Sequence, residues 1–232
     1  NSVSVNVPTG TPGTFAYNLV SVRDAAGTSG CTQNITGTQI VTVNPLPTGS
    51  IMTSSSSVCQ NAASPFITFT GANATNLPYT FTYNINGGPN LTVTTTVGNS
   101  VNVPVPTNTA GTFTYNLLSV GDGSSPACSQ AQTGSVSVLV KALPTANIAG
   151  TINVCLNATA PNITFTGAEG VAPFTFTYNI NGGTNQTVTT TVGNSVTVPV
   201  PTTLAGTFIY NLVSVSEGSA DNCFQLQTGN AT

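Results

Sequence analysis

The 232-residue chain contains no histidine and no tryptophan, and its only basic residues are Arg23 and Lys141. Without histidine neither a Ser-His-Asp triad nor a mixed Cys/His zinc site can be assembled. Two cations cannot neutralise a phosphate backbone, so nucleic-acid binding is excluded as a function. Charged residues make up 3% of the chain, against about 25% in ordinary soluble domains. The acids are Asp24, Asp122, Glu169, Glu217 and Asp221, and no carboxylate pair recurs at a spacing suited to acid–base work. No enzyme activity, cofactor or metal is therefore expected. No apolar run reaches the roughly 18 residues of a membrane-spanning helix. No leader peptide is visible, but the chain opens inside a repeat, so that absence carries no meaning.

What the chain does have is order. Hydrophobic residues make up 39% and recur in register, which separates it from a low-charge disordered segment. The segment YTFTYNINGGPNLTVTTTVGNSVNVPVPTNTAGTFTYNLLSV from Tyr79 returns at Phe174 as FTFTYNINGGTNQTVTTTVGNSVTVPVPTTLAGTFIYNLVSV. The offset is 95 residues (174 − 79), and 34 of the 42 aligned positions are identical. A third copy of its later part opens the chain as NSVSVNVPTGTPGTFAYNLVSV. Such a period is too long for a solenoid unit and matches one whole sandwich domain. The repeats divide at Asn44-Pro45-Leu46-Pro47-Thr48 and at Lys141-Ala142-Leu143-Pro144-Thr145. Residues 1–46 then form the C-terminal half of one repeat and 47–143 a complete repeat. Residues 144–232 form a third repeat lacking the end of its last strand.

Within a repeat the apolar residues alternate. Tyr79, Phe81, Tyr83 and Ile85 interleave with Thr80, Thr82 and Asn84, the pattern of a half-buried strand. Ile67 with Phe69, Val101 with Val103 and Val105, and Val136 with Val138 and Val140 continue it. Asn86-Gly87-Gly88, Gly98-Asn99 and Gly123-Ser124-Ser125-Pro126 supply turns. About seven strands per repeat predict tandem all-β, immunoglobulin-like Greek-key sandwiches in an elongated string, with repeats spaced by roughly 35–45 Å. Pro104 and Pro106 predict an edge strand that ends early. The apolar phase flips at Leu117–Leu118, and again at Leu19–Val20 and Leu212–Val213, which predicts a β-bulge in each copy. Leu46 and Leu143, between or beside Pro45, Pro47 and Pro144, are expected to be buried where repeats meet.

The five cysteines keep the same period. Cys59 and Cys155 open their repeats in VCQNA and VCLNA, while Cys31, Cys128 and Cys223 occupy the loop before the last strand. The simplest pairing is Cys59–Cys128 with Cys155–Cys223, leaving Cys31 without a partner. The equally periodic alternative, Cys31–Cys59 with Cys128–Cys155, would lock neighbouring repeats together. Either implies an oxidising, extracellular compartment. Asp24, Asp122 and Glu217 fall at equivalent positions and read as solvated or turn-capping acids, since one carboxylate per repeat is too few for calcium. Thr94-Thr95-Thr96 and Thr189-Thr190-Thr191 read either as a polar strand face or as a glycan- or ice-like binding surface. Asn-x-Thr sequons stand at Asn34, Asn73, Asn90, Asn157, Asn162, Asn185 and Asn230.

The phrases GTFTYNLLSVGD, LPTANIAGTINVCLNATAPNITFTGAEGVAPFTFTYNINGG and VTTTVGNSVTVPVPT resemble the PKD-like and immunoglobulin-like repeats of giant Bacteroidota cell-surface proteins. Those include gliding adhesins exported by the type IX system. The likeness runs over essentially the whole chain. True PKD domains carry a tryptophan and a WDFGDG-like turn where this chain has YTFTYNINGG, so the repeats are PKD-like. The resemblance implies a surface stalk, fibre or adhesin and transfers no binding residue. The function expected is a structural or adhesive segment of a long extracellular repeat protein. The alternatives are a module that binds glycans or another surface partner, and accessory repeats of a secreted enzyme. The partners expected are more copies of the repeat, in the same chain or in a neighbouring subunit by strand addition, with surface glycans as a further class. Apolar faces of residues 1–46, such as Val3, Val5, Val7, Phe15, Tyr17 and Leu19, are expected to lie open.

Overall fold

A computed structural model describes residues 2–24, 30–73 and 76–232. Asn1, residues 25–29 and residues 74–75, with the threonine of the Asn73 sequon, lie outside the described residues. Among those described there is no helix; every regular element is a strand. The chain falls into two compact units, one of Asn1–Met52, Thr68–Val103 and Tyr115–Ser135, the other of Thr53–Ile67, Pro104–Thr114 and Val136–Thr232.

The first strands are β1 (Gly13–Arg23) and β2 (Thr32–Val43), an antiparallel hairpin. Then follow β3 (Thr48–Thr53), β4 (Ser57–Cys59), β5 (Phe66–Ala72), β6 (Thr80–Ile85), β7 (Leu91–Thr94), β8 (Ser100–Pro104), β9 (Gly111–Gly121) and β10 (Ser129–Lys141). They make a three-stranded sheet β3-β5-β8 and a five-stranded sheet β4-β10-β9-β6-β7. β3 begins in one sheet, and β4 continues in the other, parallel to β10. This is the immunoglobulin-like arrangement of two sheets with a split first strand.

The order returns without a counterpart of β4 among the described residues, and with two short strands in the place of β10, in β11 (Thr145–Ala149), β12 (Asn162–Ala168), β13 (Thr175–Ile180), β14 (Gln186–Thr189), β15 (Ser195–Pro199), β16 (Tyr210–Ser216), β17 (Phe224–Leu226) and β18 (Asn230–Ala231). Here the sheets are β11-β12-β15 and β14-β13-β16-β17, with β18 also on β16.

The alternating residues build the cores. Phe69 on β5 meets Phe81 and Tyr83 on β6 at 5.6 and 5.0 Å between ring centroids. Phe165 on β12 meets Phe176 and Tyr178 on β13 at the same two distances. Offset or tilted aromatic pairs at this range add about 0.5–1.5 kcal/mol beyond their buried area. Gly71 and Gly167 are glycine because a Cβ would come within 2.5 Å of the Tyr79 ring and 2.6 Å of the Phe174 ring.

The bulges fall where the phase flips. Thr82 faces Ser119 while Tyr83 faces Leu117, which leaves Leu118 as the extra residue. Val213 is the extra residue between Ser214 and Leu212 opposite Thr177 and Tyr178, and the β1–β2 register shifts between Leu19 and Ser21. β8 and β15 lie at sheet edges and end at Pro104 and Pro199. Asn86 and Gly87 both have positive φ within the turn closed by Gly88 N–H donating to Ile85 O at 2.9 Å. That is the Asn-Gly signature of a type I′ turn.

The threonine triplets are not a continuous exposed face. Thr94 and Thr189 pair with Thr80 and Thr175 through their hydroxyls. Thr95 and Thr190 turn inward and are buried. The Thr190 hydroxyl accepts from Phe174 N–H at 2.9 Å while Thr190 N–H donates to Phe174 O at 2.9 Å; Thr95 and Tyr79 repeat this exchange. Thr190→Val keeps the shape but strands a buried N–H, at a cost of about 1–3 kcal/mol. Chemical denaturation is expected to show that loss for Thr190→Val and almost none for the exposed neighbour Thr191→Val.

Two expectations about the linkers are corrected or refined. Leu46 is 53% exposed and so not buried, while Leu143 is half-buried. The buried linker residues are Pro47 and Pro144. Each immediately precedes a first strand, β3 or β11, so the rigid ring and not the flexible leucine packs inward. In the β1–β2 segment Val3, Val5, Leu19, Val20, Val22 and Ile40 are exposed, and Val7, Phe15 and Tyr17 are half-buried.

Candidate functional site

The densest chemistry gathers where β4 runs beside the end of β10. Their register places Cys59 opposite Lys141, and Gln60 N–H donates to Lys141 O at 2.8 Å. Facing them is the loop between β16 and β17. It is closed by Glu217 N–H donating to Cys223 O at 3.0 Å and by a turn through Asn222, which has positive φ. Cys59 and Cys223 are joined by a disulfide, with Cα atoms 5.5 Å apart and 164 residues of separation.

Around it, Lys141 Nζ lies 2.8 Å from Asp221 Oδ2 and donates to Ser219 Oγ at 2.9 Å. Ser57 Oγ donates to the same Asp221 oxygen at 2.7 Å. Buried Glu217 holds the loop from behind, accepting from Val171 N–H at 2.8 Å and from the Ser219 hydroxyl. One of the two cations in the chain is thus committed here.

The pairing differs from both sequence-based alternatives. Cys59 bonds neither Cys128 nor Cys31, and Cys155 bonds neither Cys223 nor Cys128; Cys31, Cys128 and Cys155 are free. The cause is positional. Parallel pairing with β10 carries Cys59 to the end of the strand from which the chain enters the next repeat, within reach of that repeat's loop.

A matching cluster occurs one repeat earlier. Asn44 stands in the linker where Lys141 stands in the next, and its amide donates to Ser124 Oγ at 3.4 Å. Ser124 is the counterpart of Ser219. Its hydroxyl donates to Asp122 Oδ2 at 3.0 Å, and Asp122 Oδ1 accepts from Cys128 N–H at 2.9 Å. Asp24 holds Cys31 in the same way at 2.8 Å. Asp24 and Asp122 therefore cap their cysteine loops, in line with the turn-capping reading, while the Glu217 carboxylate accepts from Val171 and Ser219 instead. Lys141 and Asp221 were missed in the sequence. The available signal was a lone lysine at the linker and an aspartate standing where the earlier copy has Pro126.

The ion pair has a pH signature. Hydrogen bonds from Lys141 and Ser57 hold the Asp221 carboxyl below its ordinary value of 3.8. A depressed carboxylate contributes stability that is present above its unfolded pKa and lost as pH falls through the folded one. Asp221→Asn is expected to be less stable than the parent at neutral pH, with the gap closing below about pH 4. A gap that persists unchanged into acid would contradict this.

A groove of about 260 Å³ is lined by residues including Ile152, Val154, Cys155, Ile163, Val200 and Phe208. In the preceding repeat the strand matching residues 153–155 is β4, which pairs with Leu139–Lys141 of β10. Among the described residues no group of three His, Cys, Asp or Glu side chains could hold a metal ion, and no helix is long and apolar enough to cross a membrane. All seven sequon asparagines are exposed.

No protein-family model and no curated protein matches the chain. Among solved structures it is similar to a Ca2+-stabilised adhesin that helps an Antarctic bacterium reach out and bind ice. The TM-score is 0.48 and the identity 20%, covering 94% of this chain and 56% of that one. It is also similar to a 1.5-MDa bacterial ice-binding adhesin, with TM-score 0.47, 14% identity and 82% and 65% coverage. A biofilm-associated protein BSP domain gives TM-score 0.26 and 14% identity, covering 79% of this chain and 29% of that one. The chain thus spans little more than half to two thirds of the first two structures. The fold assignment rests on the strand order itself.

Proposed function

We propose that the chain is a structural, load-bearing segment of a long extracellular repeat protein, a stalk, fibre or filament with an adhesive role at a cell surface. The observation that carries this reading is the Cys59–Cys223 disulfide. It ties a cysteine early in one sequence repeat to a loop cysteine of the next, and a bond of this kind persists in oxidising compartments. A spacer needs neighbouring units that resist separation, and near-identical units with no unique site serve it well.

The repeat boundaries that fit this role lie at 46/47 and 143/144, with an elongated array as the resulting form. The large aromatics support a structural role over a glycan platform, since Tyr79, Phe81, Tyr83, Phe174, Phe176 and Tyr178 are all buried. The phrase VTTTVGNSVTVPVPT supports the finer assignment to PKD-like repeats of Bacteroidota surface proteins of the gliding-adhesin type.

Antibodies against this chain are expected to label intact, unpermeabilised source cells along extended surface fibres in immunogold electron microscopy. Label that appears only after lysis would overturn the proposal.

A further inference from the structure

We infer that Cys31, Cys128 and Cys155 each close the same disulfide with a further copy of this repeat, so that a covalent lock recurs at every junction of the array. The bond runs from the VC-x-NA cysteine of one repeat to the loop cysteine of the next. This rests on the reading of the chain as part of a repeat array.

The free cysteines sit in the same frames as the bonded ones. Cys155 lies 96 residues after Cys59 (155 − 59). Ala62 N–H donates to Cys59 O at 3.1 Å, and Ala158 N–H donates to Cys155 O at 3.1 Å. Asn61 and Asn157 follow with φ of 63° and 61°, their N–H groups donating to Thr107 O and Thr202 O. The Thr107 and Thr202 hydroxyls return to Ala62 O and Ala158 O at 2.8 and 2.7 Å. Cys155 thus opens the same anchored turn that follows Cys59, without the strand pairing that β10 gives β4.

The loop cysteines match as well. Cys31, Cys128 and Cys223 each accept at their carbonyl from the N–H of Asp24, Asp122 and Glu217, at 3.1, 2.9 and 3.0 Å. The Asn44–Ser124 hydrogen bond further shows the linker of the first repeat meeting the loop that carries Cys128, as Lys141 meets the loop that carries Cys223. Cys128 is therefore presented at a junction of the same make, with the cysteine of the earlier repeat still to be supplied.

The separation of 164 residues in the closed bridge fixes where the partners fall. Counting it forward from Cys155 and backward from Cys128 and Cys31 leads outside the 232 residues in every case. The partners belong to other copies, in the same chain or in a neighbouring subunit. Each closure joins two thiols into one disulfide. The two electrons and two protons pass to an oxidising disulfide, which leaves as two thiols by exchange.

The test is disulfide mapping of the protein isolated from its source without reductant, with free thiols blocked by N-ethylmaleimide before digestion. Mass spectrometry is expected to recover the Cys59–Cys223 peptide pair. It should also find the VCLNA peptide bonded to a loop peptide of another copy, and the Cys128 loop bonded to a VC-x-NA peptide of another copy. Non-reducing electrophoresis separates the two sources: bonds between subunits give a ladder that collapses on reduction, bonds within one chain do not. Maleimide on Cys128 and Cys155, or recovery of Cys59–Cys128 and Cys155–Cys223 pairs, overturns the inference. If those thiols are free while surface labelling of intact cells persists, the lock fails and the structural reading stands.

Discussion

Phe176→Ala is expected to lower the stability of its repeat by about 3–5 kcal/mol, the range for truncating a fully buried phenylalanine. Phe176 is 0% exposed, and its ring centroid lies 5.6 Å from that of Phe165 and 6.4 Å from that of Phe174. The loss combines the transfer energy of the ring with a cavity that its neighbours cannot fill, because they stand on two sheets fixed by their own hydrogen-bond ladders. Val192→Ala, at an 87% exposed position, is expected to change stability by less than about 0.5 kcal/mol. Denaturant unfolding followed by tyrosine fluorescence reads both. Equal effects for the two substitutions would mean that the alternation at 174–180 does not point into a core.

Removing the bridge with the double substitution Cys59→Ser and Cys223→Ser is expected to cost between about 2 and about 5 kcal/mol. The upper figure follows from chain entropy for a loop of this length, set by a separation of 164 residues. Cys128→Ser is expected to be neutral within about 0.5 kcal/mol in this chain, since Cys128 is free here. Denaturant midpoints under non-reducing conditions decide between the pairings. If Cys128→Ser destabilises the chain as much as Cys59→Ser, the bond lies inside a repeat. Substituting both bridge cysteines avoids a released thiol that could exchange with Cys128 or Cys155.

The strands, turns and bulges could be read from the sequence because they follow local rules. Alternation places Phe81 and Tyr83 on one face, and an apolar pair such as Leu117–Leu118 can be accommodated in a strand only by an extra residue. The edge position of Pro104 follows from the N–H it lacks. The disulfide partner could not be read in this way. In a periodic chain Cys59 is in phase with Cys128 and with Cys223 alike, so spacing alone cannot choose. The choice is made by the three-residue strand β4, whose parallel pairing with β10 turns Cys59 toward the end of the repeat. Leu46 misled for a related reason: hydrophobicity suggested burial, but Pro47 already fills the inward position.

Lys141 and Asp221 show what a nearly uncharged chain leaves visible. With side chains 21% and 24% exposed, the pair contributes little energy as a surface ion pair, on the order of 0–1 kcal/mol. Its role is directional. It holds the loop of Cys223 over Cys59, and one repeat earlier the Asn44–Ser124 contact joins the linker to the loop of Cys128 with a neutral hydrogen bond.

The most direct test of the account is to stretch the chain by its two ends in a single-molecule force measurement, with and without reductant. The oxidised chain should unfold without releasing the segment between Cys59 and Cys223. Reductant should then add up to about 550 Å of contour length, from 164 residues at about 3.3–3.6 Å each. The same total extension in both conditions, or two separate gains of about 240 Å each, as loops of 69 and 68 residues inside single repeats (128 − 59 and 223 − 155) would give, would contradict a lock between successive repeats.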